Sequence, residues 1–282
     1  MNLTFRAALV AAGCLAALPA LAEGTLERIK ADGTIRLGVR ADAAPISYTG
    51  PDGQPAGYAV DVCKAVAQAL AQGFGLPALK TSFVPVTAEN RFDTVAQGKV
   101  DLLCGADTVT LQRREEVDFS LPTFVDGAAV LIKTGTNPDL AALAGKKVGV
   151  VAGTTTEDAL KNTLAQTGIQ AEVVALPDHN AGIEALKKGE VAAYFGDQAI
   201  LYHLLLSADP DKTLAISDNT LTVEKQALAL PRGDDDFRLA VDGAISELYR
   251  SGGIARIFAA NLPGAKPGLA LKALYLIAPD LP

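Results

Sequence analysis

Short apolar runs alternate with helix-length amphipathic stretches along most of the 282-residue chain, and the whole alternation occurs twice. This pattern narrows the fold more than any other feature, because strand, helix and strand in series build βαβ units around a largely parallel sheet. The first series reads as a helix from Thr25 to about Lys30, stopped near Gly33, and a strand Thr34–Val39. A Gly/Pro-rich hairpin-like segment (48–57), a helix of roughly Val60 to Ala71 and a strand Ser82–Val86 follow. A helix around Arg91–Gln97, a strand Val100–Cys104 and a helix starting near Leu111 with Thr110 as its cap complete the series. The second series has strands at Lys147–Val151, Glu172–Leu176 and Val191–Gly196, and helices at Thr156–Thr167, Ala181–Lys188 and Ala199–Leu206. Two extended runs, Phe124–Lys133 and Glu224–Leu230, bracket this second series, and an amphipathic helix of about Phe237–Ser251 comes after it. One lobe inserted into another is the organisation that two such connectors imply. From Asn261 onward, with prolines at 263, 267, 279 and 282, the sequence reads as an irregular tail over a surface.

Composition agrees with an α/β class. Hydrophobic residues make up 49% of the chain but aromatics only 5%, with no Trp, which suits an Ala/Leu/Val core better than an aromatic-cored β sandwich. The net charge of −7 argues against a nucleic-acid partner, since phosphate binding needs a basic surface. Residues 1–22 have the form of a secretory signal: Arg6 gives a positive start, Ala7 to Leu18 an apolar segment, and Ala20-Leu21-Ala22 a cleavage site. The apolar segment is too short to span a bilayer, so cleavage near Ala22 and a periplasmic mature protein are expected. Cys14 falls inside this signal, and Ala11 stands where a lipid-attachment box carries a large aliphatic residue. Cys63 and Cys104 are then the cysteines of the mature chain, and two readings stand: a disulfide tying helix to sheet, or two buried thiols. No CxxC pair and no metal-ligand cluster is present in the sequence, and no cofactor is expected.

Ligands of open parallel sheets bind beyond the carboxyl ends of the strands, so the residues just past each strand are the site candidates. In the first series these are Arg40, then Thr87, Glu89, Asn90 and Arg91, then Gly105, Ala106, Asp107 and Thr108. The second series contributes Gly153-Thr154-Thr155, Asp178-His179 and Asp197. Arg40, Arg91 and one of Arg113 and Arg114 carry planar donor forks suited to carboxylates. The helix start at Gly153–Asp158 offers free amides, with Thr155 and Asp158 at capping-box spacing. Each of these residues alone is ordinary loop or cap composition. Pooled between two facing lobes, they suit a ligand with two carboxylates and one ammonium.

With those residues named, the chain resembles the family 3 periplasmic amino-acid-binding proteins of ABC importers, and within them the glutamate/aspartate-binding branch. The resemblance rests on Gly57-Tyr58-x-x-Asp61, on TAENRFDTVAQGKVDLLCG (87–105), on Thr108-x-Thr110-x-x-Arg113 followed by Val117-Asp118-Phe119-Ser120, on GTTTE (153–157) and on YFGDQAIL (194–201). It implies a type II, two-lobed α/β fold with mostly parallel sheets, flanking helices and two hinge strands. The expected division is lobe 1 over 23–125 and 229–282, with lobe 2 inserted over 126–228. By the same resemblance Arg113 forks onto the ligand α-carboxylate, assisted by the amides of Thr108 and Thr155. Asp197, the Thr108 hydroxyl and the Ala106 carbonyl hold the α-ammonium, and Arg40, Arg91 and His179 surround the side-chain end. Ala88 and Ala106 stand where the acidic-ligand branch has serines, and Asp107 adds an acid beside the site.

The expected function is capture of one amino acid, glutamate or aspartate, by a monomer that closes about Thr123–Gly127 and Gln226–Ala229 and delivers it to an ABC permease. No catalysis is required. In a dry, closed cleft a neutral side chain would strand Arg91 or Arg40, at roughly 3–5 kcal/mol. Should either arginine pair internally, for instance with Glu89 or Asp107, that argument falls and a Gln/Asn ligand follows. The rival reading is a periplasmic dehydratase or lyase on the same fold, with Glu89 or Asp107 as its general acid.

Overall fold

A computed structural model gives the architecture and describes residues 24–137, 139–209, 211–217 and 220–280. The expected signal, with Cys14, lies outside the described residues. In chain order the first half contains α1 (Thr25–Asp32), β1 (Thr34–Val39), β2 (Asp42–Ala43), β3 (Ser47–Thr49), β4 (Pro55–Ala56), α2 (Tyr58–Gly73), β5 (Lys80–Pro85), α3 (Arg91–Ala96), β6 (Leu102–Leu103) and β7 (Val117–Asp126). The second series is β8 (Ala128–Lys133), β9 (Lys147–Val151), α4 (Thr155–Thr167), β10 (Glu172–Leu176), α5 (His179–Lys188), β11 (Ala193–Asp197), α6 (Gln198–Ala208) and β12 (Leu214–Ile216). The chain closes with β13 (Glu224–Pro231), α7 (Asp235–Arg250), α8 (Gly253–Asn261) and α9 (Leu269–Ile277).

Two five-stranded sheets result. The first has the order β5-β1-β6-β13-β7, with β5, β1 and β6 parallel and β13 antiparallel to both its neighbours. The second has the order β10-β9-β11-β8-β12, with β10, β9 and β11 parallel and β8 antiparallel to both its neighbours. A small third sheet, β2-β3-β4, holds the segment after Arg40. Helix α2 buries Val60, Cys63, Val66, Ala67 and Leu70 at three- and four-residue spacing, the stripe a helix needs to cover a sheet. Cys63 on that stripe forms a disulfide with Cys104, just past β6. The bond ties α2 to the loop that begins at Gly105. The second sheet is covered in the same manner, Leu160 and Leu164 of α4 packing with Val148, Val150, Ala193 and Phe195.

The chain passes between the sheets twice, at Gly127 and at Thr222–Glu224. These crossings run so close together that a Cβ on Gly127 would lie 2.1 Å from the Thr222 carbonyl oxygen. Beside them the β7–β13 ladder shifts register between Gln226 and Ala227 and again between Ala227 and Ala229.

Three elements differ from the sequence reading. The helix expected from Leu111 is only a 3-10 turn, Arg113–Glu115, although the Thr110 hydroxyl does accept the Arg113 amide, at 3.1 Å. Val117 and Phe119, two residues apart and both buried, pull the chain at once into β7. The single extended run over Phe124–Lys133 is two strands in different sheets, broken at Gly127. The tail contains α9, which buries Leu271 and Leu274; Pro267 precedes the helix start, where its missing amide costs nothing.

Candidate functional site

The loops beyond β1, β5 and β6 face those beyond β9, β10 and β11, and the two walls touch. Gly153, at φ +71°, passes so close to the opposite wall that a Cβ there would lie 3.2 Å from the Glu89 Cα. The Arg91 Nη1 donates to the Gly153 carbonyl across this gap at 3.4 Å. Farther along, the His179 amide donates to Asp42 Oδ2 at 3.2 Å. Gln226 Nε2 donates to Asp197 Oδ2 at 2.8 Å, joining the hinge strand to the end of β11.

Arg113, in the 3-10 turn, stands over the loop after β6. Its Nη1 donates to the Thr108 carbonyl at 2.7 Å, and its guanidinium carbon lies 4.7 Å from the centre of the Phe92 ring. Burial lowers its pKa while Asp107, Glu224, Asp197 and Asp158 oppose that effect, so four carboxylates lie within electrostatic reach of it. Arg114 lies over Phe119 instead, 5.8 Å from its ring centre. Thr108 bridges to Gln226 in antiparallel fashion, which fixes the Ala106–Thr108 loop against β13. Ala106 itself is buried there.

The start of α4 is built one residue earlier than the sequence spacing suggests. Thr154, not Thr155, is the N-cap; its hydroxyl accepts the Glu157 amide, and Glu157 Oε2 accepts the Gly153 amide at 2.9 Å. Thr155 is thereby released to face the first wall, with its hydroxyl 3.4 Å from that of Thr108. Both hydroxyls donate to Glu224 Oε2, at 2.5 Å from Thr108 and 2.7 Å from Thr155, and Thr222 donates to Glu224 Oε1. Asp197 closes this end. Burial, reinforced by Glu224, pushes its carboxyl up to about 6. Asp126, half-buried nearby, is also raised, chiefly by desolvation and then by Asp197. One guanidinium and several close-set carboxylates therefore share this end of the cleft, an arrangement that favours an added cation beside an added anion.

The other end holds Arg40, Arg91 and His179, all three buried. Arg40 forks onto Asp42, with Nε at 2.9 Å from Oδ1 and Nη2 at 2.6 Å from Oδ2. Arg91 is 1% exposed and donates through Nε to Asp107 Oδ1 at 2.8 Å; its guanidinium lies 4.5 Å from the Phe92 ring centre. Burial pushes Arg91 down to about 10, with Arg113 and Arg40 adding to the effect and Asp107 opposing it. His179 is the first residue of α5, whose N-cap Asp178 accepts the Ala181 amide. Its Nδ1 is 2.6 Å from the Tyr194 hydroxyl. Burial and then Arg40 push its pKa down to about 3, so the ring is neutral at physiological pH. Both arginines at this end are thus paired internally, which removes the stranded-arginine argument for an acidic ligand.

Four residues of this arrangement were not singled out as site residues from the sequence: Asp42, Phe92, Glu224 and Gln226. Asp42 carries a weak signal, since it lies two residues beyond the first strand-end arginine. Glu224 opens the second extended run. Phe92 reads only as a helix residue until the two guanidinium groups are placed over it.

The family model described as bacterial extracellular solute-binding proteins, family 3, matches residues 35–263. An L-glutamate/L-aspartate-binding protein of Pseudomonas aeruginosa is 34% identical over 237 residues, covering 83% of this chain and 78% of that protein. The L-cystine-binding protein TcyJ of Escherichia coli is 29% identical over 82% of this chain and 83% of its own length. Among solved structures, the solute receptor for L-cysteine of Neisseria gonorrhoeae superposes with a TM-score of 0.76 at 26% identity, covering 86% of this chain and 97% of that one. The fold is that of the type II periplasmic binding proteins, and the chain belongs to the bacterial extracellular solute-binding proteins of family 3.

Proposed function

We propose that the protein captures one free α-amino acid in the periplasm, between the two walls, and hands it to the membrane permease of an ABC importer. The observation that carries this reading is the pairing of Arg113 with a carboxylate-rich patch across one end of the cleft. Arg113 suits the α-carboxylate, with the Thr155 amide at the start of α4 as a second donor. Asp197, the Thr108 hydroxyl and the Ala106 carbonyl suit the α-ammonium, and Glu224 adds a further negative charge there. Closure turns about the two crossings at Gly127 and Thr222–Glu224, so that one lobe carries the first sheet, with β7 and β13, and the other carries the second sheet, β8 to β12; the boundary expected at 228/229 thus moves to the start of β13.

Two side-chain classes have support. The Pseudomonas aeruginosa relative is named for glutamate and aspartate, which supports an acidic side chain near Arg40, Arg91 and His179. The internal pairs Arg40–Asp42 and Arg91–Asp107 support a neutral polar one. Calorimetry of ligand-stripped protein against Glu, Asp, Gln, Asn, Cys and His tests the reading. Micromolar or tighter binding of at least one of them, with the titrant recovered unchanged, is the expected result. Turnover of the titrant would point instead to the dehydratase-type chemistry, and no binding at all would end the proposal.

A further inference from the structure

On the reading that the cleft holds an amino acid, we infer that Asp42 and Asp107 are specificity-determining residues: they cancel Arg40 and Arg91, so that the side-chain end takes a neutral hydrogen-bonding group, of the primary amide class, in preference to a carboxylate.

All four residues lie on the first wall, so the pairing does not depend on how far the cleft is closed. Arg91 and Asp107 are buried to within 1% of complete, and Arg40 to within 4%. Asp107 is fixed by its backbone as well as its side chain: its carbonyl accepts the Ala227 amide at 3.1 Å, in the strand that also bridges to Thr108. Its carboxylate folds back only because residue 105 is glycine, since a Cβ there would lie 2.7 Å from Oδ2. Among the described residues, that Oδ2 has no hydrogen-bond partner, so Arg91 is the cation that hydrogen-bonds the carboxylate, with Arg113 also within electrostatic reach. Asp42 is fixed in turn by the fork from Arg40 and by the His179 amide.

The two arginines and two aspartates sum to zero, and the neutral His179 adds nothing. A ligand carboxylate brought here would be an additional buried negative charge beside two arginines that are already paired, whereas an amide adds no charge and can both donate and accept. Without the aspartates the same end would carry two positive charges and would demand an acid. Selectivity therefore resides in what the arginines are paired with, rather than in their presence.

The test compares isosteric pairs, Gln with Glu and Asn with Asp, by calorimetry on wild type, Asp107→Asn and Asp42→Asn. Wild type is expected to bind the amide of each pair at least about tenfold tighter than the acid. Each single variant is expected to move that ratio toward the acid by roughly a hundredfold, because it frees one buried guanidinium. Should the single variants fold poorly, the double exchange Arg91→Gln with Asp107→Asn removes both charges and is expected to keep the wild-type ratio. A wild type that prefers the acid overturns the inference, as does a ratio unchanged in the single variants or displaced in the double one. Absence of any amino-acid binding by wild type would remove the capture reading and this inference together; binding with an unmoved ratio removes the inference alone.

Discussion

Replacing Arg113 by alanine is the perturbation with the largest expected effect on capture. In the structure its guanidinium is anchored by the Thr108 carbonyl at 2.7 Å and lies 4.7 Å from the Phe92 ring centre. A ligand α-carboxylate enclosed without it would be a buried charge lacking its partner, at about 3–5 kcal/mol, or roughly a hundred- to several thousandfold in Kd. The cost to the unliganded fold is smaller. One hydrogen bond and one cation–π contact are lost, about 1 kcal/mol each, and Arg91 still covers Phe92. Arg113→Lys keeps the charge without the fork, so a loss of roughly ten- to a hundredfold is expected. Arg114→Ala, the adjacent control, is expected to bind as wild type does. Calorimetry supplies the affinities and a melting curve on each variant separates binding from folding. Binding by Arg113→Ala within tenfold of wild type, at unchanged stability, would refute the assignment of the α-carboxylate to this residue.

Other outcomes follow from single features. The Asp197 carboxyl, raised to about 6 by burial and Glu224, must be ionised to hold an ammonium, so binding releases a proton below that pH. Affinity is expected to fall as pH drops through 6, by up to about tenfold per unit, as read by titrations from pH 8 to 5. The same shift makes the unliganded folded state hold this proton more tightly than the unfolded chain, so this group's contribution to stability declines as pH rises from 3.8 to 6. Reduction of Cys63–Cys104, which are 41 residues apart, is expected to lower stability by about 4 kcal/mol in urea titrations run with and without reductant. Gly182→Ala would place a methyl 2.2 Å from the Tyr194 ring, which carries the hydroxyl against His179; a loss of about 1–3 kcal/mol is expected in thermal melts, together with weaker ligand binding.

Much of this architecture was legible in the sequence because period and position carry it. Strands Thr34–Val39, Lys147–Val151 and Glu172–Leu176 are short, mostly apolar runs, the first interrupted by Arg36, and the loop residues after them line the cleft because that is where parallel strands end. Less legible were features decided through space. The Asp107 carboxylate turns toward Arg91 because Gly105 leaves room, and Glu224 reaches Thr108 across a separation of 116 residues. Neither proximity leaves a local mark. Competing local signals account for the rest: Thr154 and Thr155 are equally good caps by composition, and only the reach of Glu157 to the Gly153 amide selects the former. Prolines 263 and 267 suggested an irregular tail, yet the apolar run of α9 begins just beyond the second of them.

The central claim is that the cleft recognises the α-carboxylate and α-ammonium of one amino acid through Arg113 and Asp197. It is tested most directly by measuring, for the tightest-binding amino acid, the affinity of the free compound beside its α-carboxamide and its N-acetyl derivative. Loss of at least about a hundredfold on blocking either group is the expected result. Retention of affinity within a few-fold by either derivative would contradict the account.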